Sequence, residues 1–199
     1  MRTYQAEADK IFPPLEEKTY WESSYWKDSY KFPYNPDTLV RGNDYSIYDE
    51  MRDDDQVKVA VSVKKDMALQ TGWRISCEND EIVKFITDSL NNLHEGKGLE
   101  NTFDDTLREL LSAYEYGFAM AEAVFMLGAD GMYRHKSIRV RAPHSFRFDI
   151  DKFGNVVNVI QSTPDGDKFF EPSVFLHHVY QPEFGNPYGK SDLKAAHTA

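Results

Sequence analysis

The sequence predicts an α+β domain in which helices come first and antiparallel β-hairpins follow, behind an extended N-terminal arm. Three observations predict it. Apolar residues recur at helical spacing up to Gly117. From Phe118 onward the period changes to two, and Gly- and Asp-bearing turns separate the runs. The first forty residues follow neither pattern. They hold nine of the chain's 28 aromatic residues and four of its nine prolines, with few aliphatics. Such a stretch is too poor in aliphatics to build a core and too aromatic for a solubilising tail. The division expected is therefore an arm over residues 1–44 and an α+β body over 45–199. Trp21 and Trp26 are the bulkiest side chains of the arm. They dock either on their own body or on a neighbouring subunit.

Residues 45–70 predict one helix, with Ile47, Met51, Val57, Val61 and Met67 as its stripe and Gly72 as its stop. The run Val57, Val59, Val61, Val63 also alternates as a strand would. The helix start is acidic: Asp44, Asp49, Glu50, Asp53, Asp54 and Asp55 face only Arg52. Acids near a helix N-terminus favour its dipole. On a helix Asp53, Asp54 and Asp55 point around the axis rather than converge, so no metal site is expected there. Trp73–Ser76 predicts a short strand. Asn79 caps a second helix reaching about Leu93, and Thr102 with Asp105 forms a capping box that opens a third. Gly117 ends that helical stretch.

Residues 118–127, FAMAEAVFML, predict a strand, and residues 132–141 return as its hairpin partner across Gly128–Gly131. Residues 146–149 and 156–160 predict a second hairpin. Asp165-Gly166 marks a further turn, VFLHHVY over 174–180 a last strand, and Ser191 the cap of a helix that has barely begun.

Composition narrows the function. The chain has 199 residues and a net charge of −10, which argues against a surface that grips nucleic acid or anionic lipid throughout. A single cysteine, Cys77, allows neither an intrachain disulfide nor a cysteine-based zinc site and suits a reducing compartment. No apolar run approaches the roughly 20 residues of a membrane span, and the first residues lack the apolar stretch of a signal peptide.

Few residues suggest chemistry. Gly185–Ser191, GNPYGKS, invites a phosphate-loop reading around Lys190. Its glycines, however, are separated by three residues where that motif needs four, and Pro187 has no N–H to give a phosphate. His177 and His178 are adjacent on a strand and face opposite sides. Glu115 and Glu122 flank the Tyr116-Gly117 break, and undistinguished carboxylates of this kind are usually ion-pair groups. No catalytic residue, metal site or cofactor is therefore expected. The electrostatic exception is 132–152, where Arg134, Lys136, Arg139, Arg141, Arg147 and Lys152 oppose only Asp149 and Asp151. Ile138 and Val140 are expected to face the core, with Arg139 and Arg141 outward. This surface suits phosphates or an acidic neighbour such as another copy's 44–55 cluster.

Four segments, taken in order, resemble one family. They are YDEM…DDDQVKVAVSVKK with TGWRI; AYEYGFAMAEAVFMLGADG (113–131); IRVRAPHSFRFDIDKFGNV (138–156); and GNPYGKSDLKAA (185–196). They are similar to the early part of tailed-bacteriophage portal proteins. The positions carrying the likeness are Tyr116, Gly117, Glu122, Pro143, Gly189, Ser191 and Leu193. The resemblance implies a non-enzymatic virion component: a dodecameric ring at the capsid vertex through which double-stranded DNA passes non-specifically. It also implies terminase, capsid or scaffold, and head-completion partners, no membrane, and residence in the virion, with host cytoplasm during assembly. Residues 45–196 would be the wing, and the chain an N-terminal fragment of a longer subunit. Subunit or DNA contacts are then expected at Arg134, Lys136, Arg139, Arg141, Asp53, Asp54, Asp55, Trp21 and Trp26. Two other readings are a different virion or head–tail joining module without catalysis, and an enzyme binding nucleotide at Gly185–Ser191.

Overall fold

The computed structural model describes residues 35, 37–40, 44–93, 102–151, 155–183 and 185–197. Most of the arm, Trp21 and Trp26 included, lies outside them. The expected helix over 45–70 is two helices, α1 (Ser46–Arg52) and α2 (Asp55–Leu69). The break falls in the acidic run. Asp54 is extended, and its carboxylate accepts the N–H groups of Gln56 at 2.9 Å and Val57 at 3.1 Å. An aspartate that competes for backbone N–H groups starts a helix in preference to continuing one. The break lets α1 bury Tyr48 while Tyr45, just before it, is also fully enclosed.

Residues 73–76 are not a strand. Neither sheet includes them, and Trp73 and Ile75 instead pack on a helical cluster, with Trp73 edge-on to Phe103 at 4.9 Å. Helix α3 (Asp80–Asn91) starts at Asn79, whose side chain accepts from Glu81 N at 2.9 Å. Helix α4 (Phe103–Leu110) carries the expected capping box between Thr102 and Asp105. A single further turn, α5 (Ala113–Tyr116), runs into Gly117.

Six strands follow: β1 (Phe118–Leu127), β2 (Tyr133–Arg141), β3 (Phe146–Ile150), β4 (Val156–Thr163), β5 (Gly166–Phe170) and β6 (Phe175–Val179). They make two antiparallel three-stranded sheets, ordered β2-β1-β6 and β3-β4-β5. The fold is therefore α+β, with a final short helix α6 (Asp192–His197). Strand β5 has no counterpart in the sequence reading. Four of its five residues are exposed, so it carries no alternation to find.

The core is organised by β1. Phe118 and Met120 on one face join an aromatic cluster with Tyr45, Tyr48, Phe146, Phe148 and Tyr188. Ala121 on the other face packs with Leu90, Leu93 and Ile138 under α3. A strand covered on both faces reads as an unbroken apolar run, which is what residues 118–121 are. Burying one such aromatic contributes about 1.5–3 kcal/mol, so this cluster is the main anchor between the two sheets.

Candidate functional site

Five of the motif residues, Tyr116, Gly117, Gly189, Ser191 and Leu193, converge where α5 meets β1, while Glu122 lies further along β1 and Pro143 in the turn before β3. Gly117 has φ +88°, and Gly189 has φ +60°. A left-handed backbone tolerates glycine best. Here space demands it as well. A Cβ on Gly117 would run into the Tyr188 carbonyl, with Lys190 N at 3.2 Å; one on Gly189 would run into the Gly117 and Tyr180 carbonyls, with Val179 Cγ1 at 2.9 Å. The two glycines thus let distant chain segments touch backbone to backbone. Tyr180 N donates to Gly117 O at 2.8 Å, and Lys190 N donates to Tyr180 O at 2.9 Å.

Ser191 completes this clasp. Its hydroxyl donates to the Glu115 carbonyl and accepts from Leu193 N at 3.0 Å, so it caps α6 and ties it to α5. Leu193 is buried in the aromatic core. Pro143 is buried in the turn before β3. Tyr188 is buried too, and its hydroxyl accepts from Phe148 N at 3.4 Å.

The Gly185–Ser191 segment is built as a tie. Tyr188 N bonds the Asn186 side chain at 2.9 Å, Asn186 N bonds Glu183 O at 3.0 Å, and Gly189 N bonds Asn186 O at 3.4 Å. Those donors, with Lys190 N on Tyr180, are the ones a phosphate loop would need free. The Lys190 side chain lies at 3.3 Å from Glu183.

His177 stacks on Phe148 at 4.6 Å, and its Nε2 bonds the Pro187 carbonyl at 2.9 Å, placing the ring proton on Nε2. Burial holds its pKa down at about 4, so the ring is neutral at pH 7. His178 is also pushed down by burial.

Beside the clasp, α1, α2 and α4 enclose a cleft of about 440 Å³, lined in part by Asp49, Arg52, Asp53, Lys65, Arg108 and Glu115. Glu115 is 3% exposed. Its Oε1 accepts from Lys65 at 2.8 Å and lies 3.5 Å from Arg52 Nε, while Oε2 is buried without a partner among the described residues. The Tyr116 hydroxyl donates to Asp49 and accepts from Arg52. Burial, then the Asp49 bond, pushes that hydroxyl's pKa well up. Asp49 also meets His144 Nε2 at 2.8 Å. Glu115 and Glu122 are both ion-pair groups, since Glu122 accepts from Arg141 at 2.6 Å.

The basic hairpin is less basic than its sequence. Arg134 forms a two-pronged bond with Asp130 at 2.7 and 2.6 Å and lies over the Phe85 ring at 4.8 Å. That pair holds Asp130 well below the ordinary carboxylate range. Arg147 pairs with Asp167. Lys136 and Arg139 are exposed and make no ion pair among the described residues. Ile138 is buried under the helices and Val140 packs against the same cluster, as expected, and Arg139 faces outward; Arg141 is only half-exposed.

In the acidic run, Asp54 is a cap and Asp53 closes α1. Among the described residues, no group of His, Cys, Asp or Glu is placed to hold a metal ion, and no helix is long and apolar enough to cross a membrane. Sequence reasoning missed Lys65 and the Tyr180 carbonyl. A lysine four residues beyond Val61, on the packed side of α2, was the available signal for the first. A backbone acceptor leaves no signal.

These side chains and glycines join remote segments of the chain. Residues 45–198 match the family described as the portal protein of Mu bacteriophage, and the chain belongs to that family. It is a phage structural protein of the portal class. No curated protein matches it. A solved structure, the virion of a native gene transfer agent particle, is similar at 18% identity over 57% of this chain, with a TM-score of 0.44. The likeness spans 31% of that chain's length.

Proposed function

We propose that this chain is the wing-bearing part of a portal ring subunit. The ring is an oligomeric conduit at the capsid vertex through which DNA is packaged and ejected. Terminase, capsid or scaffold, and head–tail connector proteins attach to it, and no catalysis is involved. The observation that carries the reading is the family match over residues 45–198. The clasp supports it, because Tyr116, Gly117, Gly189, Ser191 and Leu193 meet in one place and hold the body rigid. A rigid body suits a part that must keep its shape while DNA passes. In this reading Arg134, Lys136, Arg139, Arg141 and Asp53–Asp55 supply contacts between copies or to DNA, with Arg134 and Arg141 already drawn into intrachain pairs.

The test is electron microscopy with light scattering on the chain expressed with whatever coding sequence continues its frame. Dodecameric rings are expected, without ATP turnover and without any change on Lys190→Ala. Monomers alone at every concentration would refute the proposal. ATP binding lost on Lys190→Ala would revive the enzyme reading.

A further inference from the structure

The β1–β2 hairpin is longer than the sheet that carries it. Strand β6 pairs only with Phe118–Glu122 of β1. Beyond that the hairpin continues as two strands, with a register shift between Val124 and Phe125 that leaves Lys136 opposite no residue. Its far end rests on α3 through Arg134 over Phe85 and His135 on Ser89, but its apolar side chains stay exposed among the described residues. Phe125, Met126 and Leu127 are 54%, 49% and 59% exposed, and Met132 and Tyr133 across the turn are 48% and 69% exposed. A two-stranded ribbon is marginal alone, and a tip that is apolar on both faces, with Phe125, Leu127 and Tyr133 on one and Met126 on the other, marks a contact surface.

A second uncovered apolar line lies on α2. Val59, Val63 and Met67 are 62%, 51% and 67% exposed and fall at four-residue spacing, so they form one ridge. Asp55 heads the same ridge, one turn before Val59. Asp53 and Asp55 make no ion pair among the described residues, and neither do Lys136 and Arg139 on the β2 strand of the hairpin. The helix ridge is therefore apolar with an acidic end, and the hairpin is apolar at its tip with a basic flank.

We infer that the hairpin tip of one copy seats on the α2 ridge of the next, with Lys136 and Arg139 toward the neighbour's Asp53 and Asp55. This rests on the portal reading and names the surface that joins its subunits. Two different patches meeting head to tail leave one of each free on every pair, so copies add in one direction, into a ring where the rotation closes. The charges fix which way round the patches meet, and the apolar area supplies the binding.

Cysteine cross-linking tests it. Cys77 is exposed, so Cys77→Ser is the background. In that background Val63→Cys and Met126→Cys are placed singly and together, and a short bismaleimide is added to the assembled protein. The double variant is expected to give a ladder of covalent multimers, and each single variant only monomer. Dimers from Val63→Cys alone would mean the ridge meets its own copy and would overturn the inference. A cross-link within one chain would overturn it too, because the ridge would be covered from inside the subunit. Intact rings with no cross-link would overturn this surface while leaving the portal reading standing. Absence of any oligomer would overturn both. A second arm replaces Val59, Val63 and Met67 with glutamate. These side chains are exposed, so the circular dichroism should be unchanged, while the oligomer is expected to fall to monomer. Oligomers that persist unchanged would refute the ridge.

Discussion

Replacing Gly189 with alanine tests the clasp most directly. The methyl group would meet the Gly117 and Tyr180 carbonyl oxygens well inside van der Waals contact, and Val179 Cγ1 at 2.9 Å. The left-handed backbone costs alanine about 1–2 kcal/mol. Overpacking against rigid backbone adds about 1–3 kcal/mol. Moving the carbonyls away weakens Tyr180 N–Gly117 O and Lys190 N–Tyr180 O, at about 1 kcal/mol each. The sum is about 4–7 kcal/mol, at the upper end for a single substitution. Gly131 is the control: its φ is +77°, and none of the described residues lies within 4 Å of its Cβ position. Gly131→Ala carries the backbone cost alone. Urea unfolding followed by far-ultraviolet circular dichroism, with both variants side by side, measures the difference. Gly189→Ala should be less stable than Gly131→Ala by about 2 kcal/mol or more, equivalent to about 4–8 °C in Tm for a chain of this size. If the two variants unfold within about 0.5 kcal/mol of each other, the close approach is not what requires glycine, and the clasp argument fails.

Other outcomes follow from the same geometry. His177 titrates near 4 when folded and near 6.5 when unfolded, so the unfolded chain binds more protons between those values. Stability should be full above pH 6.5 and fall by up to about 3 kcal/mol as the pH drops toward 4, with His177→Phe flattening that slope in urea titrations at stepped pH. Lys65→Met strands Glu115 without its nearest cation and should cost about 3 kcal/mol, most of it recovered by adding Glu115→Gln, as measured in a double-mutant cycle. Asp54→Ala removes the α2 cap and should cost about 1 kcal/mol, whereas Asp53→Ala and Asp55→Ala should leave thermal unfolding nearly unchanged and act only on assembly.

Legibility in the sequence tracked the range of the interactions. Local signals were readable. The Asn79 cap, the Thr102–Asp105 box and the turns at Gly131 and Gly166 depend on residues a few positions apart, and each stands where the pattern placed it. The long helix over 45–70 failed because Asp54 competes locally for N–H groups, a capping signal overshadowed by the apolar stripe. The strand at 73–76 failed because alternation alone does not supply a pairing partner. At the site, the motif positions were readable but their purpose was not. Gly117 and Gly189 looked like a helix stop and a loop glycine. Their meeting is a tertiary fact, and the acceptors they approach are backbone carbonyls identical in every residue. The basic hairpin was overestimated because Asp130 and Glu122 neutralise Arg134 and Arg141 across short distances in space.

The clasp has a kinetic consequence. Ser191 and Glu115 bond across 76 residues of sequence, and the second sheet lies wholly within that span. Closing so long a loop costs entropy before any contact returns it, whereas the hairpins inside close over short distances. Tyr180 N–Gly117 O continues the β1–β6 ladder, so the clasp closes together with that long-range pairing, after the local hairpins. Interactions absent from the folding transition state set the rate of unfolding. Loosening the two glycines or the serine should therefore hasten unfolding more than it slows folding.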